Sequence, residues 1–262
     1  MESGALSAVA DLVLPVTCAA CAAPARALCD ACSTDLLGDL VRFGGPTWVR
    51  PDPAPAGWPG CVAVTAYDGV ARTLVVTYKD DDRRDALPVL APLLAAAVAG
   101  ALASLGEVDV GASRLPLVVP APTSRSARRR RGRDSLGELA RAAAALLPRS
   151  PPVVSALAQI RRVRDQAGLG AGDRQANLAG AVGVRRAQRG RLDGRAVLLL
   201  DDVVTTGATL VDCARALAAE GAVVVGAAAI CATQRRPAGT PRAAGVPAVS
   251  GSFVGPKAGH RR

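Results

Sequence analysis

From residue 61 onward, short runs of apolar and β-branched residues alternate with longer stretches rich in Ala and Leu. The runs at 61–67, 115–120, 196–200 and 222–230 have the length and composition of strands. The stretches at 70–78, 86–105, 135–147 and 209–220 have helical length, and a shorter one lies at 33–41. Val197-Leu198-Leu199-Leu200 is apolar without a break, as a parallel strand buried on both faces requires. The alternation predicts an α/β protein, a parallel sheet flanked by helices.

The remaining sequence divides around that pattern. Residues 1–42 carry a cysteine cluster and form a candidate small module. Residues 43–60 are rich in Pro and Gly and hold both tryptophans, which suits a linker or an irregular segment packed onto its neighbours. The α/β pattern fills 61–234, and 235–262 lacks periodicity, so a disordered tail is expected there. The single histidine, His260, falls in that tail and is a poor candidate for a catalytic base. The uncharged stretch 86–105 is Ala-rich, holds Pro88 and Pro92, and follows a charged segment. It reads as a buried helix rather than a membrane span. Residues 1–9 lack a basic segment and carry Glu2, so no export signal and a cytoplasmic location are expected.

Composition narrows the interior and the ligand. Half the residues are hydrophobic but only 2% are aromatic, so Ala, Val and Leu must fill the core. The net charge of +10 favours anionic partners, whether nucleic acid or polyphosphate. Much of the charge is clustered, at Arg125, Arg128, Arg129, Arg130, Arg131 and Arg133, and again at Arg161, Arg162 and Arg164.

Four of the seven cysteines form the pattern Cys18-x2-Cys21, seven residues, Cys29-x2-Cys32. Each pair can direct two thiolates at one ion, and two pairs complete the tetrahedron that Zn²⁺ prefers. All four positions would be filled by protein, which makes such a site structural. Free thiols or a redox pair are the alternatives. Cys213 and Cys231 lie in apolar surroundings and read as core residues.

The most informative segment is Leu198-Leu199-Leu200-Asp201-Asp202-Val203-Val204-Thr205-Thr206-Gly207-Ala208-Thr209. A buried strand runs into two carboxylates, then a turn rich in hydroxyls, then a helix. Gly207 permits a tight turn, and the N–H groups of residues 206–209 can converge on an anion. The helix start adds its free donors and dipole. Carboxylates suit sugar hydroxyls rather than phosphate, so Asp201 and Asp202 beside this cradle fit a ribose 5-phosphate. The Gly168-Leu169-Gly170-Ala171-Gly172 run is not a dinucleotide fingerprint, because no strand leads into it.

The same segment resembles the signature by which type I phosphoribosyltransferases bind phosphoribosyl pyrophosphate (PRPP). Over residues 15–233 the order of motifs is similar to that of the ComF family of competence-associated phosphoribosyltransferase-like proteins. The cysteine pairs precede Tyr67-Asp68-Gly69 and Thr77-Tyr78-Lys79-Asp80. Val119-Pro120-Ala121-Pro122 and the basic run follow, then Arg164-Asp165-Gln166-Ala167-Gly168-Leu169 with Arg174-Gln175-Ala176-Asn177, and the threonine loop closes the series. The resemblance implies a type I phosphoribosyltransferase fold in which 120–131, with Arg128 and Arg129, forms the pyrophosphate loop. It places 161–177, with Arg164, in the hood over the reacting centre, and assigns 201–209 to PRPP. Mg²⁺ would accompany PRPP, and an unidentified nitrogen acceptor would displace pyrophosphate. A non-catalytic role in DNA uptake, through nucleic acid or competence-machinery proteins, is the alternative. Lys79 is a candidate catalytic amine, or merely a partner for Asp80, Asp81 and Asp82. Two departures stand out. The family's Gly-Phe-Asn-Gln is Gly132-Arg133-Asp134-Ser135 here, and Cys61 has no companion for a second cysteine pair.

Overall fold

The structure is a computed structural model that describes residues 17–24, 27–105, 115–123, 131–161 and 180–233. Its centre is a five-stranded mixed sheet in the order β1-β2-β7-β6-β3. The strands are β1 (Thr47–Val49), β2 (Cys61–Ala66), β3 (Leu117–Pro120), β6 (Ala196–Val204) and β7 (Val223–Ala232). Edge strand β1 runs antiparallel to β2, and every other pairing in the sheet is parallel. A separate antiparallel pair joins β4 (Leu157–Gln159) to β5 (Val182–Val184).

Five helices flank this framework among the described residues: α1 (Asp30–Phe43), α2 (Gly69–Asp80), α3 (Leu87–Ser104), α4 (Ser135–Ala145) and α5 (Ala208–Ala218). Their ends follow local chemistry. The Asp68 carboxylate accepts from the Gly69 N–H at the start of α2, and Asp134 accepts from the Gly137 N–H at the start of α4. Gly44 closes α1 at φ +92°, where its N–H donates to the carbonyls of Leu40 and Val41.

The interior is aliphatic, as the shortage of aromatics demands. Leu198, Leu199 and Leu200 on β6 and Ala227 to Ile230 on β7 are fully buried. Helix α3 covers β2 and β7 and also packs on α4. Its Leu90, Leu94, Ala97, Val98 and Ala101 are buried, so this long apolar helix is accounted for as a core element.

Segment 43–60 is more than a connection. It supplies β1, and Trp48 lies against Gly60 and Gly226. Trp58 and Pro51 pack against Gly207, so this segment walls the turn before α5.

Candidate functional site

Parallel sheets bind ligands beyond the carboxyl ends of their strands, where the chain turns into the next helix. Here β3 and β6 are neighbours, and the segments after both open into one cleft of about 380 Å³. Asp201, Asp202, Val203, Thr205 and Thr209 line one side, Ala121, Pro122, Thr123, Arg131, Ser135 and Leu136 another, and Tyr67 and Lys79 complete it.

The strand continues through both aspartates to Val204 rather than ending at Leu200. Successive strand residues face opposite sides of a sheet. Asp202 accordingly meets Lys79 on α2 in an ion pair, while burial first, and then the charges of Asp201 and Asp212, raise the pKa of Cys213 on α5. The Asp201 carboxylate also accepts from the Asp202 N–H at 2.9 Å. Burial first, and then the Asp202 charge, push the Asp201 carboxyl up to about 8, against the opposing pull of Lys79. Burial lowers the pKa of Lys79, but Asp202 and Asp201 outweigh it, so the ammonium is held more firmly than usual. The lysine therefore partners the strand-end aspartate rather than the acidic run that follows it in sequence.

Gly207 caps α5 at φ +75°, a conformation that disfavours any side chain. A Cβ there would also come within 2.5 Å of Trp58, so both backbone and packing require glycine. The N–H groups in the first turn of α5 have no carbonyl one turn earlier to accept from them. Thr205 and Thr209, which flank this turn, both line the cleft. A carboxylate pair, an ammonium and a helix start thus converge, which suits a ligand carrying both hydroxyls and phosphate.

The basic run divides by environment. Arg131 lines the cleft and bonds Asp80 at 2.6 Å. Arg133 turns inward and is only 4% exposed at its side chain. It bonds Glu138 at 2.7 Å and the Tyr78 carbonyl at 2.6 Å, pairs with Asp82 at 2.5 Å, and lies 4.4 Å over the Tyr78 ring. These contacts clamp α2 to α4 through both terminal nitrogens, while Nε has no hydrogen-bond partner among the described residues. Arg128, Arg129 and Arg164 lie outside the described residues.

Two cleft residues carry little signal in the sequence. Ser135 is 2% exposed, and its hydroxyl has no partner among the described residues. Tyr67, with Arg72 stacked 5.9 Å from its ring, is an aromatic on the cleft wall in an aromatic-poor chain. Both fall in segments that the resemblance compares, Tyr67 in Tyr67-Asp68-Gly69 and Ser135 at the end of the departing Gly132-Arg133-Asp134-Ser135, but nothing in the sequence marks either as a cleft residue.

A second centre lies at the cysteines. The sulfurs of Cys18, Cys21, Cys29 and Cys32 are all within 4.8 Å of one another. Tetrahedral zinc thiolates stand roughly 3.8 Å apart, from Zn–S bonds of about 2.3 Å, so the four fit that ion. The Cys18 sulfur accepts from the N–H groups of Ala20 and Cys29, each at 3.4 Å. Burial raises its pKa, but these backbone donors and that of Cys21 outweigh it and bring it down to about 6. Burial pushes Cys32 the other way, and its sulfur neighbours add to the shift. Clustered thiols with opposed shifts resist simultaneous ionisation, and a dication removes that conflict.

The family model of the phosphoribosyl transferase domain matches residues 130–246. That span takes in α4, the β4–β5 pair, β6, α5 and β7, and so includes both aspartates and the threonine turn. The match and the sheet together support a phosphoribosyltransferase-like α/β protein, with a four-cysteine cluster ahead of the domain. Among curated proteins no match is found.

Proposed function

We propose that the cleft binds PRPP and that the protein transfers its phosphoribosyl group to a nitrogen acceptor, releasing pyrophosphate. The observation that carries this reading is the convergence of Asp201, Asp202, Thr205 and Thr209 on one cleft. Asp201 and Asp202 accept from the ribose 2- and 3-hydroxyls, and the turn 205–209 donates to the 5-phosphate. Lys79 and Arg131, with Arg128, Arg129 and Arg164 of the basic segments, neutralise the diphosphate. The acceptor nitrogen forms a bond to C1 as the bond from C1 to the diphosphate oxygen breaks. The transition state has oxocarbenium character, so the protein contributes orientation and charge stabilisation.

Asp202 is paired with Lys79, and Asp201 beside it is held toward its protonated form by burial and by the Asp202 charge. A dication would offset this like-charge conflict: Asp201 and Asp202 would hold Mg²⁺, which supplies Lewis-acid neutralisation of the diphosphate when bound. Calorimetry with PRPP and Mg²⁺ tests the reading. Binding to the native chain and its loss in Asp201→Asn/Asp202→Asn are expected, and equal affinity for both proteins would overturn it.

A second reading is favoured by the net charge of +10. In it the chain is a ComF-like protein without catalysis, working in DNA uptake. Arg185, Arg186, Arg189 and Arg191 lie exposed within one short segment and give a polyanion a surface to meet. PRPP-dependent release of pyrophosphate would count against it.

A further inference from the structure

We infer that the four-cysteine module sets the affinity of the cleft for PRPP, through Arg83 as the positioning residue that ties the module to α2. This inference rests on the PRPP reading above. Lys79 lies in the last turn of α2 and pairs with Asp202. A lysine side chain is long and flexible, so the quality of that pair depends on where the helix end is held.

The helix end is held by the module. Arg83 donates from Nη2 to the Thr17 carbonyl, and from Nε and Nη2 to the Asp85 carboxylate at 2.9 and 2.7 Å. Its Nη1 also reaches the Thr17 hydroxyl at 3.5 Å. The N–H of Arg83 donates to the Thr77 carbonyl at 3.2 Å, which fixes this residue to the last turn of α2. The Thr77 hydroxyl adds a weaker link, lying 3.2 Å from the Ala19 carbonyl and 3.0 Å from its own helical acceptor, the Thr73 carbonyl.

Thr17 and Ala19 flank Cys18, the first of the four cysteines. At the other end of α2, Asp39 of α1 lies against Gly69. The module therefore bears on both ends of the helix that presents Lys79. Ala19 and Leu36 also belong to the main core, so the module and the α/β body share one packed interior.

The carbonyls that Arg83 and Thr77 use belong to a turn that the four thiolates close around a metal. Loss of the metal opens that turn and removes the acceptors. Lys79 then loses its fixed position and Asp202 its counter-charge, where displacements of about 1 Å cost binding and rate. Linkage makes the effect reciprocal: whatever factor Zn²⁺ contributes to PRPP affinity, PRPP contributes to Zn²⁺ affinity.

The test uses the full chain with Mg²⁺ present. Zn²⁺ affinity is measured by competition with a zinc-selective chelator, with and without PRPP, and PRPP affinity by calorimetry on zinc-loaded protein. A reciprocal factor of about ten is expected, within the usual range of such couplings. Zinc-loaded Arg83→Met should bind PRPP more weakly and show a coupling factor near one, and Arg83→Lys should recover part of both. Equal Zn²⁺ affinity with and without PRPP in the native chain overturns the inference, as does an Arg83→Met protein with native PRPP affinity and native coupling. If stripped protein merely unfolds, the zinc-loaded Arg83→Met measurement still decides. Failure of the zinc-loaded native chain to bind PRPP at all is a different result, and it removes the functional reading on which the inference stands.

Discussion

Ser135 is buried against the cleft with its hydroxyl unpartnered among the described residues. An unpaired buried hydroxyl costs about 1–3 kcal/mol, and a ligand oxygen that accepts from it recovers that cost on binding. Ser135→Ala should therefore leave the melting temperature unchanged or slightly higher while weakening PRPP binding roughly tenfold, since about 1.4 kcal/mol is a factor of ten. Calorimetry beside thermal melts separates the two effects, and unchanged affinity would show that the hydroxyl meets no ligand atom. Asp201 makes a different prediction. Its folded pKa is raised from an ordinary 3.8 to about 8, so the fold favours the protonated carboxyl. That contribution to stability is complete below the ordinary value and disappears as pH rises through about 8, because the folded chain must then hold the charge. Asp201→Asn keeps the shape and removes the titration. Its melting temperature should gain on that of the native chain between pH 5 and pH 8.5, and a constant difference would place the charge elsewhere.

At the scale of elements, Arg133 joins the end of α2 to the start of α4. Its guanidinium serves Glu138, Asp82 and the Tyr78 carbonyl while covering the Tyr78 ring, whose hydroxyl donates to the Ser135 carbonyl at 3.1 Å. Removing one partner from such a buried charged cluster costs about 3 kcal/mol. Arg133→Met should lose about that much in urea denaturation, and Arg133→Lys should recover only part, since an ammonium cannot reproduce the planar fork. A loss below about 0.5 kcal/mol, typical of surface substitutions, would show that the clamp is unimportant. This residue also marks the limit of the sequence reading. In a run of arginines nothing distinguishes Arg131, which faces the cleft, from Arg133, which faces inward, because neighbouring charges carry no period. The long elements were legible for the opposite reason. Residues 196–200 of β6 and most of β7 are apolar runs, α2 and α5 begin at recognisable turns, and the aspartate–threonine segment is dense enough to indicate its own chemistry. β1, β4 and β5 have three residues each and owe their shape to partners distant in sequence, so no local pattern announces them. Trp58 against Gly207 is likewise a tertiary contact, hidden in what reads as a linker.

The molecule as a whole carries a charge of +10, and its two functional readings place that charge in different surroundings. In the cleft, cations are already paired: Lys79 with Asp202 and Arg131 with Asp80. A small anion bound there meets a partly enclosed site, where salt screens less than it does at the surface. The exposed segment with Arg185, Arg186, Arg189 and Arg191 is open to solvent, although Arg189 has Glu220 at 3.5 Å. Polyanion binding there would release counterions from the nucleic acid, and log affinity would fall with log salt by about 0.9 for each phosphate neutralised. Replacing all four arginines with glutamine should therefore flatten the salt dependence of duplex DNA binding and leave PRPP affinity close to native. Asp201→Asn/Asp202→Asn should do the reverse, abolishing PRPP binding and leaving the DNA slope intact. If the four-glutamine protein binds DNA with the native slope, this segment is not the contact surface. If the native chain shows no salt-dependent binding at all, the excess charge serves the cleft and the solubility of the fold, and only the enzymatic reading keeps a use for it.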